Sequence, residues 1–163
     1  MGTHLHLKAV PEAGFREEFV WLEELFDAAY QRGFPTDEVE DLIEKDFFDL
    51  DHLVCGAERH NIVPEEPGSL LIFGGRPVYS PDGDHVPPYV VLDAKEVALA
   101  AGFVETTAFE TLWEASGAEL KASSWGWPED EVREMFHAHY AGLREVYVKA
   151  AAGGCVMAKY FSF

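Results

Sequence analysis

Thr3-His4-Leu5-His6-Leu7-Lys8-Ala9-Val10 alternates apolar and polar residues, with Leu5, Leu7 and Ala9 on one side and His4, His6 and Lys8 on the other. A period of two with one apolar face is the pattern of a β-strand. At the other end of the chain, Cys155 to Phe163 alternates in the same way and closes the sequence as a second strand. The stretch between them is mostly of helical period, with no internal repeat and no linker. The expectation is a single α+β domain over residues 1–163, a small mixed sheet holding both terminal strands and packed with about six helices.

Working inward, Pro11 and Glu12 suit the start of a helix whose stripe is Phe15, Phe19, Leu22, Leu25, Phe26 and Ala29. Gly33 and Pro35 stop it. Asp37 and Glu40 have capping-box spacing, which predicts a second helix from Thr36 or Asp37 that turns Val39, Leu42 and Ile43 inward. A short helix near Leu50 to Cys55 ends at Gly56. Ser69 to Phe73 reads as a buried strand, Gly74 and Gly75 turn the chain, and Arg76 to Tyr79 pairs in a hairpin. Tyr89 to Leu92 is a further strand, after which Asp93 caps a helix over Ala94 to Phe103. Another helix covers Ala108 to Ala122. Pro128 begins the last and longest one, with Glu129, Asp130 and Glu131 in the turn where the helix dipole favours them.

Composition is globular, with 48% hydrophobic and 26% charged residues in 163. The balance of charge is the unusual feature: 30 acids oppose 12 bases, a net charge of -18. Between Glu12 and Asp51 alone there are 14 acidic and three basic residues. Such a chain repels nucleic acid and anionic lipid, because phosphate binding needs clustered Lys and Arg. It attracts cations and basic proteins at long range. Asp37, Glu38, Glu40, Asp41 and Glu44 are therefore candidates for an acidic face that meets a basic partner, as in an antidote or immunity protein that masks a cationic toxin. Acidity that serves only solubility is the plainer reading.

Met1 to Val10 is too polar for a signal peptide, and no apolar run reaches the length of a membrane span. Cys55 and Cys155 belong to no CxxC pair. A cytoplasmic protein with reduced thiols and no cofactor is expected.

Each local constellation has a structural alternative. His4 and His6 share a strand face but have no third metal ligand in view, and His137 and His139 diverge around a helix. Asp82-Gly83-Asp84 is turn chemistry rather than a calcium loop. Cys55 lies near His52 and His60, yet closes an apolar helix as a buried cysteine would. Trp125 and Trp127 flank Gly126. They form either a stacking platform or a clamp on the start of the last helix, and the clamp is the simpler. The interaction reading is non-enzymatic. The alternative is a small-molecule binder or an enzyme, in which Lys45, Asp46, His52 and Arg76 would meet the loop of Trp125 and Trp127, because buried charge of mixed sign in a cleft marks sites.

Several segments in order resemble the YfbM-like family, a bacterial domain of unknown function. They are Glu44 to His52, the apolar run Leu71 to Arg76, Tyr89-Val90-Val91-Leu92 with Glu96-Val97, and Phe136 to Ala151 carrying Tyr140, Leu143, Tyr147 and Ala150. The closing strand fits as well. Phe47 or Phe48 stands where the family usually has Trp. The resemblance implies an α+β fold with the terminal strands in one sheet, and it implies no activity.

Overall fold

A computed structural model describes residues 3–33, 39–56, 66–83, 85–124 and 126–163. The alternating ends do become strands. β1 (His4–Pro11) and β5 (Cys155–Ser162) pair antiparallel along their whole length, from His4 opposite Ser162 to Pro11 opposite Cys155. With β2 (Glu40–Glu44), β3 (Arg76–Val78) and β4 (Tyr89–Leu92) they form one sheet in the order β2-β1-β5-β4-β3. Every pairing is antiparallel, so the sheet is not the mixed one expected. Pro77 is tolerated because β3 is an edge strand, where a missing N–H costs no ladder bond.

Among the described residues there are five α-helices rather than six: α1 (Phe19–Arg32), α2 (Phe47–Cys55), α3 (Ala94–Thr106), α4 (Phe109–Ser123) and α5 (Glu129–Ala152). The missing helix is the one read from Asp37 onward. Its described part is the strand β2, where Ile43 pairs with Leu5 and Asp41 with Leu7. Val39, Leu42 and Ile43 do have helical spacing, but five residues cannot fix a period, and the open edge of β1 supplied a ladder. Helix α1 starts later than expected because β1 continues through Pro11 and a single 3-10 turn, Glu12–Gly14, intervenes. Asp93 caps α3 as expected. Its Oδ1 accepts from the amides of Lys95 and Glu96 at 2.9 Å, and Glu96 Oε2 accepts from the Asp93 amide.

Leu5, Leu7, Met157 and Phe161 face the larger core, which they share with Phe47, Leu50, Val97, Phe136, Leu143 and Tyr147 of the helices. α1 covers the opposite face, setting Leu22 and Phe26 against Tyr89, Val91, Val156 and Ala158. This second cover buries the polar side of β1. His6 is packed edge-on against the Phe26 ring, with its Nε2 3.3 Å from Glu40 Oε2, and Lys8 Nζ lies 3.6 Å from the same oxygen. Burial pushes the His6 imidazole down to about 4, against the pull of Glu40. His4 bonds the Tyr30 hydroxyl at the end of α1.

Ser69 to Phe73 is buried as expected but is no strand. Pro67–Leu70 is a 3-10 turn, and the chain keeps turning to Gly74. The reason lies on the far side of the core. Lys159 of β5 is fully buried, and its ammonium donates to the carbonyls of Leu70, Ile72 and Gly74, the last two at 3.0 and 2.8 Å. The Tyr147 hydroxyl donates to Leu71 O at 2.8 Å. Carbonyls claimed from within by side chains are unavailable to a neighbouring strand.

Candidate functional site

Strand β2 passes into α2 through a strained corner. Lys45 has φ 61°, and among the described residues no other non-glycine has positive φ. The Asp46 amide donates back to Glu44 O at 2.6 Å, closing a three-residue γ-turn of the rare positive-φ kind. The Lys45 amide donates to Thr3 O at 2.8 Å, which ties the corner to the start of β1. A left-handed backbone costs a side-chain-bearing residue about 1–2 kcal/mol, and strain kept in a native structure is a pointer to function.

The corner opens onto a cleft of about 360 Å³ between the start of α2, the end of α4 and the first turns of α5. Lys45, Asp46 and Asp49 line one part of it, Ser123, Ser124 and Trp127 another, and Val132, Met135 and Phe136 its apolar wall. Trp127 is 59% exposed, so its indole is not the buried clamp that its place before Pro128 suggested. The hydroxyls of Ser123 and Ser124 turn back onto Leu120 O at 2.8 and 2.7 Å, ending α4 at the edge of the cleft.

Behind this lining, His139 of α5 holds Asp46, with Nε2 and Oδ2 3.2 Å apart. Asp41 lies beneath, and burial raises its pKa while the nearby His139 opposes that rise. Its carboxylate occupies the hollow over Gly142, where a Cβ would come 3.0 Å from Oδ2. Carboxylate and imidazole at this separation can hold or pass a proton.

Of the residues marked from sequence, Lys45, Asp46 and Trp127 come together. Arg76 does not: it sits on β3, paired with Glu17 at 2.5 and 2.6 Å. Strand order puts β2 and β3 at opposite edges of the sheet, about 19 Å apart at the usual strand spacing. His52 is buried on the α4 side of α2, its Nε2 2.8 Å from Glu119 Oε2 but off the ring N–H axis. Trp125 lies outside the described residues. Asp49, His139, Met135 and Phe136 were missed. Asp46 and His139 are 93 residues apart, and no local pattern links them.

Asp37 and Glu38 lie outside the described residues. The three described acidic candidates do not share one face: Glu40 turns under α1 to His6 and Lys8, Asp41 turns to α5, and Glu44 is exposed. Cys55 and Cys155 are both free thiols. Burial and the neighbouring Asp51 push Cys55 up to about 12, which removes it as a nucleophile. His60 and Asp84 lie outside the described residues. Among those described, no helix is long and apolar enough to cross a membrane, and no three His, Cys, Asp or Glu side chains are placed to hold a metal ion.

Replacing Lys45 by glycine is expected to stabilise the fold by up to about 1 kcal/mol, because glycine adopts positive φ freely. Lys45→Val should cost at least that much. Urea denaturation of both variants measures the strain, and a destabilised Lys45→Gly would show that there is none.

No curated protein matches the chain. Among solved structures it is similar to the crystal structure of YfbM from Escherichia coli, a protein of unknown function, with 14% identity and a TM-score of 0.63. The match covers 99% of this chain and 100% of that one, and at this identity the likeness is one of fold. A family model described as a domain of unknown function, DUF1877, matches residues 3–159. The chain therefore belongs to the DUF1877 family.

Proposed function

We propose that the chain is a binding protein whose site is the cleft at the β2–α2 corner. The observation that carries this reading is the strained Lys45, which brings two consecutive side chains of opposite charge to one apolar-walled cleft beside an exposed indole. A cleft of this size, mostly apolar with a few convergent polar groups, is the usual form of a small-ligand site. Amide-resolved NMR titration with a diverse fragment library tests it. Shifts should converge on Lys45, Asp46, Asp49, Met135, Phe136 and the Trp127 indole. Hits confined to other surfaces would overturn the reading.

A second reading keeps the basic protein partner. It is favoured by α1, where Glu23, Glu24 and Asp27 are all exposed and Glu23 and Asp27 repel at i,i+4. In the same titration, an arginine-rich peptide should then perturb α1 instead of the cleft, at low salt only, and lose binding on joint neutralisation of those three acids. An unmoved α1 would remove this reading.

A further inference from the structure

We propose, resting on the cleft reading above, that the ligand is a free zwitterionic α-amino acid with an apolar or aromatic side chain. Its carboxylate meets Lys45, its ammonium meets Asp46, and its side chain lies against Trp127, Met135 and Phe136.

The argument begins with the corner. In a strand, consecutive side chains point to opposite faces, and in a helix they diverge by about 100°. Lys45 and Asp46 nevertheless line one cleft, and the γ-turn at Lys45 is what brings them there. A cation and an anion on adjacent residues match a ligand whose own two charges sit on one carbon. A peptide separates its terminal charges by its whole length, and a simple cation or anion leaves one of the two residues opposed.

Two helix ends add the same polarity. α2 begins at the corner, and the Asp46 side chain does not cap its first amides, so its N-terminus favours the carboxylate beside Lys45. α4 ends at Ser123, and its C-terminal carbonyls favour the ammonium. Asp49, in the first turn of α2, adds a second carboxylate to the lining beside Asp46. One oxygen of Asp46 is anchored by His139, which fixes the group for its second oxygen to accept from the ligand. His139 is thus a positioning residue. The cleft lies at the small end of the usual range for ligand sites, which suits a small molecule rather than a long chain.

The test is calorimetric titration of the full chain with L-phenylalanine, L-tryptophan, L-methionine and L-leucine. Each is compared with its N-acetyl form, which lacks the ammonium, and its amide, which lacks the carboxylate. Capping either end of a binding amino acid should weaken it at least about tenfold, since a charge-assisted hydrogen bond is lost. Lys45→Gln should abolish the penalty on the amide alone, and Asp46→Asn the penalty on the N-acetyl form alone. Equal binding of free and capped forms would overturn the inference, as would no binding of any amino acid by a chain whose cleft still takes fragments. Those two outcomes leave the cleft as a site, whereas the absence of any fragment there defeats both readings.

Discussion

Lys159→Ala is expected to destabilise the protein by about 3–5 kcal/mol, a large share of an ordinary total of about 5–15 kcal/mol. The side chain is fully buried, and its ammonium serves three carbonyls of one turn, those of Leu70, Ile72 and Gly74. Tyr147 also reaches Leu70 O, at 3.3 Å, so truncation orphans chiefly Ile72 and Gly74. Each buried carbonyl without a donor costs about 1–3 kcal/mol, and the lost methylenes leave a cavity. Relief from burying a charge offsets part of this. Lys159→Met refills the volume without restoring the donor, so it should lose about 2 kcal/mol by urea denaturation. A loss under 1 kcal/mol for alanine would mean that the turn holds its shape without the ammonium.

The same residue sets a pH dependence. Burial lowers the Lys159 ammonium to about 7, with Asp51 and Glu96 pulling it back up, from an ordinary value of 10.5. Between those values the unfolded chain keeps a proton that the folded chain has released, so stability contributed by this group rises with pH across that window. Below it both states are charged, and the dependence vanishes. The three carbonyls favour the ammonium and narrow the window from its lower end without changing the sign. Subtracting the stability of Lys159→Met at each pH removes the carboxylates from the comparison. The difference should grow in favour of the natural protein from about pH 7 toward 10.5, and a difference that shrank would reverse the assignment.

Lys159 also marks where sequence reading stops. It shares a strand face with Met157 and Phe161, and a period of two is blind to what lies across the core. It left Lys8 and His6 on a polar face that α1 in fact covers. Elements fixed by local chemistry were legible: the Asp93 cap, the acidic first turn of α5, and the glycine stops at Gly33 and Gly56. Elements fixed by partners were not. β2 is a strand because β1 offered an edge, and Leu70 to Gly74 is a turn because Lys159 and Tyr147 claim its carbonyls. The site divides along the same line. Lys45 and Asp46 were marked as charges of mixed sign that a cleft would gather, whereas His139 reaches Asp46 only through the packing of α5. Arg76 was marked on charge alone, and strand order sent it to the far edge of the sheet.

Gly75→Ala should cost about 3–5 kcal/mol, although the residue lies in a turn that sequence marks only as a break. Its φ of 132° is one that residues with a side chain rarely adopt, and that strain alone costs about 1–3 kcal/mol. An added Cβ would also stand 2.7 Å from Val90 Cγ1 and 2.9 Å from both Leu92 Cδ2 and the Val91 carbonyl. Side chains of β4 can rotate away, but the Val91 oxygen belongs to the sheet, so the turn must move instead. Overpacking of this kind adds about 1–3 kcal/mol. Gly33 supplies the control, because its φ is 77° and, among the described residues, nothing lies within 4 Å of its added Cβ. Gly33→Ala therefore carries only the backbone term, about 1–2 kcal/mol. Moving the turn at Gly75 also displaces the Gly74 carbonyl, one of the three that hold Lys159. The losses from Gly75→Ala and Lys159→Met should then fail to add, the double variant losing less than their sum, because each already spoils the same carbonyl cradle. Strict additivity in urea denaturation would show that β4 absorbs the methyl and that the cradle is independent of the glycine beside it.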